Sequence, residues 1–127
     1  FEQGHYVAEA LQDLNYLLRD HRTGDVMAMD PVLMDLLFDL TDVLEVKRPV
    51  QIISGYRSPK SNAALQQKSK GVATKSLHMQ GKAMDIRIPG VASKDIHRAA
   101  ISLARGGVGH YPRSNFVHID TGRVRTW

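Results

Sequence analysis

There is no cysteine in this 127-residue chain, which excludes disulfide staples and thiolate metal ligands. No apolar run approaches the ~20 residues of a membrane-spanning helix, and no repeat or low-complexity segment interrupts the chain. Aromatic residues make up 6% of it and do not interleave with the basic ones. A stacking surface for single-stranded nucleic acid needs that interleaving, so no nucleic-acid partner is expected. Acidic residues are scarce in one part only. Residues 51–127 hold three, Asp85, Asp95 and Asp120, against 13 Lys/Arg, a net of +10. Residues 1–50 hold ten against four, a net of −6. A basic field of that kind draws anionic partners and speeds their encounter.

The length points to one domain over residues 1–127. A chain of this size buries roughly two-thirds of its unfolded surface and needs no cross-links to stay folded. It opens on Phe1 rather than Met, and the expectation is that a leader or tether has been removed, by processing or by design.

Two patterns organise the rest. In the first, Met84, Ile86 and Ile88 alternate with Ala83, Asp85 and Arg87, the period-2 signature of a half-buried strand. The apolar set faces a core, so Asp85 faces the open side. His78 precedes this strand from a loop, and Gly81 lets the backbone turn between them. In the second, Val117 and Ile119 share one face of a strand while Phe116, His118 and Asp120 share the other. Two His and one Asp on exposed sheet faces suit a catalytic Zn²⁺ with one position open for water. Polar residues with no metal to hold would give the same pattern.

Around these patterns the chain reads as follows. Residues 5–19 form an amphipathic helix with Val7, Ala10, Leu11, Leu14, Leu17 and Leu18 at its apolar spacing. Asp30 and Pro31 open a second helix as N-cap and first helical residue, and Leu33, Leu36, Leu37, Leu40, Val43 and Leu44 make its stripe up to Arg48-Pro49. Residues 1–49 are therefore a helical scaffold. Residues 50–54 are a short strand, and Arg57 stands at its end, where a rigid scaffold hands residues to a site. Residues 60–68 form a short helix with Ala63, Ala64 and Leu65 inward, and residues 69–75 a loop bordering the cleft. Ser93 caps a helix through residue 104, with Ile96, Ala99, Ala100 and Leu103 inward and Gly106-Gly107 as its stop. Strands at 108–111 and 116–120 follow, and 123–127 adds an edge strand. His5, His21 and His97 read as surface residues. The fold class is α+β: a small antiparallel sheet with helices on one face and an open metal-bearing cleft on the other.

The motif Ser76-x-His78-x-x-Gly81-x-Ala83-x-Asp85 resembles the zinc motif of M15-type peptidases. These include D-Ala-D-Ala carboxypeptidases and cell-wall endopeptidases. The ending Gly107-Val108-Gly109-x-Tyr111-Pro112-x-Ser114-x-Phe116-Val117-His118-x-Asp120-Thr121-Gly122-x-x-Arg125-x-Trp127 is more specific. It resembles the DUF882 branch, with its MepK-like periplasmic murein endopeptidases. The likeness runs from about residue 50 to 127, with weaker motifs before it. It implies zinc held by His78, Asp85 and His118, and Arg57, in a Tyr-Arg-Ser context, beside the metal to bind a substrate carboxylate or an oxyanion. It also implies a periplasmic enzyme that hydrolyses cross-links between stem peptides of peptidoglycan, of the diaminopimelate–diaminopimelate or the D-Ala–diaminopimelate type; a monomer is expected.

The general base departs from the family pattern. Where several M15 enzymes carry Glu or Asp three residues before the last zinc His, this chain has Asn115; where others carry His two before it, this chain has Phe116. Two candidates remain. Asp120 shares a strand face with His118 and is placed either to take a proton or to orient His118. His110, on the preceding strand, reaches across to the site if the two strands pair. Other readings are a non-catalytic murein-binding protein on a peptidase scaffold, which Asn115 favours, and a mononuclear iron oxygenase, which would normally want a further His after residue 120.

Overall fold

A computed structural model describes residues 15–16, 18–20, 22–46, 49–68 and 76–127. The helix expected over 5–19 falls almost wholly outside these residues, as do His5, His21 and the loop 69–75; its described end is helical at Asn15 and Tyr16.

The first complete helix, α1, spans Pro31–Val43. Its start is as the sequence dictates: Asp30 is extended at the N-cap, its side chain accepts from the Val32 amide at 3.0 Å, and Pro31 needs no partner for a missing N–H. Leu33, Leu36 and Leu40 are buried and Leu37 and Leu44 pack beside them, but Val43 is exposed. The helix stops at Val43, before Arg48-Pro49, and the chain turns through Glu45 at a φ of 54°.

Five strands form one sheet: β1 (Gln51–Ser54), β2 (Ala83–Arg87), β3 (Gly107–Tyr111), β4 (Phe116–Asp120) and β5 (Arg125–Thr126), in the order β1-β2-β4-β3-β5. The first three pairings are antiparallel, whereas β5 runs parallel to β3. Met84, Ile86, Val117, Ile119 and Val108 face the core, as the alternation requires, and Ile88 continues that face just past β2. The other face is less open than the sequence pattern suggests, since Asp85, His118 and Asp120 are buried as well.

Two further helices, α2 (Pro59–Lys68) and α3 (Ser93–Leu103), complete the described elements together with one 3-10 turn at Leu77–Gln80. In α2 the inward face is polar rather than apolar: Ser61 and Asn62 are buried, while Ala63 is exposed and Ala64 and Leu65 are half-buried. In α3 Ile96 and Ala100 are buried against the sheet. Ser93 is its first residue and not its cap; the cap position is Ala92, with no side-chain hydrogen bond. The left-handed stop falls on Ala104, two residues earlier than the glycines.

Candidate metal centre

His78 reaches the site from the 3-10 turn rather than from an irregular loop. Ser76 caps that turn, accepting from the His78 amide, and Gly81 ends it at a φ of 68°. A side chain at Gly81 would be strained by that φ and would also meet the Ala28 carbonyl oxygen. The same corner is tied to α1: Asp30 N donates to Gly81 O at 2.8 Å, and the Thr121 hydroxyl donates to Asp30 Oδ2 at 2.9 Å. The β2–β4 register then sets Asp85 opposite His118, one strand apart and on one face.

The three side chains converge. His78 Nε2 lies 3.2 Å and His118 Nδ1 3.1 Å from Asp85 Oδ1, and the three ligand atoms all fall within 4.8 Å of one another. Ligands held 2.0–2.1 Å from one tetrahedral ion stand about 3.3 Å apart, so the spacing fits a metal. The tautomers fit too. His78 Nδ1 is 2.8 Å from the Gly55 carbonyl oxygen, which only accepts, so Nδ1 carries the proton and Nε2 offers its lone pair. His118 Nε2 donates to Asp120 Oδ2 at 2.6 Å, which leaves Nδ1 to face Asp85.

Asp120 is wholly buried. Its Oδ1 accepts from the Gly107 and Gly122 amides at 2.8 and 2.9 Å, and Arg125 donates to both oxygens, at 3.3 and 3.0 Å. Burial opposes the charge on Asp120, but the bonds from His118, Gly107, Arg125 and Gly122 hold its carboxyl well below the usual carboxylate range. Asp85 is similar: burial raises it, and hydrogen bonds from His118 and His78 outweigh burial and lower it. Burial alone would keep His118 neutral, yet Asp120 and then Asp85 raise its pKa above the ordinary value.

Arg57 comes into the same place. Its backbone N donates to His78 O at 3.0 Å, its Nη1 to Asn62 Oδ1 at 3.2 Å, and its Nη2 stands 3.8 Å from Asp85 Oδ2. Its Nε is buried with no hydrogen-bond partner. Burial lowers its pKa, opposed by Asp85, Asp20 and Tyr111.

His110 does not join them, which corrects its candidacy as a proton acceptor. It pairs with Val117, so its side chain leaves the sheet on the helix-covered face, while Gly109 pairs with His118. There His110 Nε2 shares a 2.9 Å hydrogen bond with the Ser93 hydroxyl, and its ring stacks on His97 at 4.9 Å. Asn115 sits at a φ of 54° in the turn between β3 and β4, and Phe116 stacks on Tyr111.

Several residues at the site carried no role in the sequence reading. The Gly55 carbonyl orients His78, Asn62 holds Arg57, and Arg125 holds Asp120. Trp127, whose place the sequence left undecided, forms a wall of the metal face. Its ring is 5.1 Å from that of His118, and its Nε1 donates to the Tyr111 hydroxyl at 2.8 Å. The indole lies so close over Gly109 that a Cβ there would collide with it. Arg125 and Trp127 both stand in the motif that carries the family resemblance, and that was the available signal.

Comparison with known proteins identifies the family. A family model described as peptidoglycan L,D-endopeptidase MepK matches residues 1–127. The chain is 50% identical over 127 residues to the peptidoglycan L,D-endopeptidase MepK of Escherichia coli (strain K12), covering all of this chain and 70% of that one. The same figures hold for the protein of that name from Shigella flexneri. A probable peptidoglycan L,D-endopeptidase MepK of Haemophilus influenzae is 47% identical over 118 residues, 92% of this chain and 63% of its own. A match over the whole length, with half of all positions identical, shows that this chain belongs to the M15-type peptidase family of the peptidoglycan L,D-endopeptidase MepK.

Proposed function

We propose that this chain is a zinc metallopeptidase of one domain that hydrolyses peptide cross-links of peptidoglycan outside the cytoplasm, in the periplasm, as a monomer. The diaminopimelate–diaminopimelate link is its first substrate and the D-Ala–diaminopimelate link its second. The observation that carries this reading is the convergence of His78 Nε2, Asp85 Oδ1 and His118 Nδ1, each His with its other nitrogen already committed. The peptidoglycan L,D-endopeptidase function for which the relatives are named supports it. No helix among the described residues is long and apolar enough to cross a membrane.

His78, Asp85 and His118 would hold the zinc, which when bound would supply Lewis acidity and a water with a pKa of about 7. The protein's share is positional. Gly55 and Asp120 hold the two imidazoles in the ligating tautomer. With both oxygens engaged and no exposure, Asp120 orients His118 rather than accepting a proton from substrate. Arg57 brings a guanidinium to within reach of Asp85 and so to the place where negative charge gathers, either on a substrate carboxylate or on the oxyanion. Trp127 and Tyr111 wall off one side and reduce access of bulk water. Among the described residues of the basic segment no pair of carboxylates is placed for glycoside cleavage, since Asp85 and Asp120 are both taken up by the site and Asp95 stands on α3.

The test uses purified cross-linked muropeptide dimers of each kind, with zinc and with a chelator, followed by chromatography and mass. Dimers converted to monomers with zinc and spared by the chelator are the expected result. Dimers bound but left intact by zinc-loaded protein would replace the peptidase with a murein-binding protein.

A further inference from the structure

Arg87 is a charged side chain on the metal face that the chemistry above does not use. It follows Asp85 by two residues on β2, so the two side chains leave the sheet on one face about 7 Å apart along the strand. Its Nη2 donates to the Ser114 carbonyl at 2.9 Å, which fixes the guanidinium against the β3–β4 turn. Its Nε–H is buried and has no hydrogen-bond partner. Among the described residues no carboxylate pairs with it. With Nη2 held by the turn and Nε turned inward, Nη1 makes no hydrogen bond among the described residues, and the outer edge of the guanidinium is left to take a carboxylate.

Its place relative to Arg57 gives this a direction. β1 runs antiparallel to β2, with Ser54 opposite Asp85 and Gln51 opposite Arg87. Arg57 lies beyond Ser54 and approaches Asp85 from that side, at 3.8 Å. Asp85, and with it the metal site, therefore stands between two guanidinium groups.

The two candidate substrates differ in the same way. In a diaminopimelate–diaminopimelate link each residue keeps one free carboxylate. The acceptor's lies beside the scissile amide nitrogen, and the donor's lies at the far end of its side chain. In a D-Ala–diaminopimelate link the acceptor carboxylate is the same, but the donor side chain is a methyl group. One carboxylate is common to both bonds and one is peculiar to the first.

We propose that Arg87 binds the side-chain carboxylate of the donor diaminopimelate, with Arg57 serving the other end of the cleft, and so sets the preference for the diaminopimelate–diaminopimelate bond. This rests on the peptidase reading above. Arg87 acts through substrate binding and leaves the metal and the reacting atoms alone.

Three substrates test it: the diaminopimelate–diaminopimelate dimer, the same dimer with the donor's side-chain carboxylate amidated, and the D-Ala–diaminopimelate dimer. Wild type and Arg87→Gln are compared, with zinc content and melting temperature measured alongside. In Arg87→Gln the KM for the first dimer should rise about tenfold or more, the scale of a lost charged hydrogen bond, with kcat and zinc content held. The amidated dimer should be as poor for wild type as the native dimer is for the variant, and the variant should cut it no worse than wild type does. The D-Ala–diaminopimelate dimer should be cut alike by both. Amidation needs no variant, so the question is answered even if Arg87→Gln folds badly. Wild type that cuts the amidated dimer as well as the native one, or a variant that loses equally on both bonds, overturns the inference and leaves the peptidase standing. Zinc-loaded wild type inert on both native dimers overturns the peptidase reading and this inference with it.

Discussion

Arg57 is the residue at which metal binding and turnover are expected to separate. It is attached to the site by its backbone, through the bond to His78 O, and by its side chain, through Asn62 and the approach to Asp85. Neither attachment places it among the ligand atoms. Arg57→Lys keeps the charge and the backbone bond but loses the planar fork that grips a carboxylate or an oxyanion from two nitrogens. The expected outcome is unchanged zinc content with activity down by about 10²–10³, the scale of a lost oxyanion donor. Metal analysis and a dimer-cleavage rate on one preparation check it, with His110→Ala as the control. His110 is bonded to Ser93 on the far face of the sheet, so its removal should leave the rate within a few-fold of wild type. Near-normal turnover in Arg57→Lys would remove Arg57 from the chemistry.

The element that does most for the site relative to its size is β5, two residues long. Because it runs parallel to β3, with Gly107 opposite Arg125 and Val108 opposite Thr126, it lays Arg125 on Asp120 and brings Trp127 over Gly109. The Arg125 guanidinium also sits over the Trp127 ring, 4.9 Å from its centre. Removing the fork in Arg125→Gln takes two bonds from Asp120 and loosens its hold on His118. Zinc affinity should then fall about tenfold or more, as when the partner of a liganding imidazole is weakened, and competition with a chelator of known affinity reads this directly. Unchanged affinity would mean that the Gly107 and Gly122 amides hold Asp120 unaided. This element also shows what a sequence can and cannot disclose. Alternation in β2 and β4 was enough to place Asp85 and His118 on one face, since period 2 leaves a side chain no third choice. A capping Asp followed by Pro was enough to start α1. But the direction of a two-residue strand and the partner of Arg125 depend on register between segments, which local pattern does not carry, whereas the face taken by His110 was legible in its period-2 match with the buried Val108. The polar inner face of α2 was missed for a related reason: Ala63 and Leu65 look like core residues, yet the site needed Asn62 facing in to hold Arg57.

At the scale of the whole molecule, the acidic first part and the basic second part are joined by specific bonds as well as by opposite charge. Asp20 is the main junction. It is buried, its Oδ1 accepts from the Arg22 and Thr23 amides at 2.8 and 3.2 Å, and its Oδ2 accepts from the Ser58 amide at 2.8 Å, next to Arg57. A second bond, from Tyr56 N to Leu18 O at 2.7 Å, runs parallel to it. Burial of Asp20 opposes its charge, but the bonds from the Ser58 and Arg22 amides outweigh burial and hold its pKa well below the usual range. The linkage then has a definite sign. A carboxyl whose folded pKa is depressed contributes stability that is fully present above its unfolded pKa, about 3.9, and is lost as pH falls from there through the folded value. Asp20→Asn should therefore cost about 1–3 kcal/mol at pH 7, the scale of a broken charged hydrogen-bond set. The difference from wild type should narrow by about 1 kcal/mol between pH 5 and pH 3, because only wild type still has that stability to lose. Urea unfolding of the zinc-free protein at three pH values, with and without the substitution, measures the difference without interference from metal release. A gap of constant size from pH 7 to pH 3 would show that the Asp20 charge contributes nothing and that its bonds serve only to shape the loop that carries Arg57.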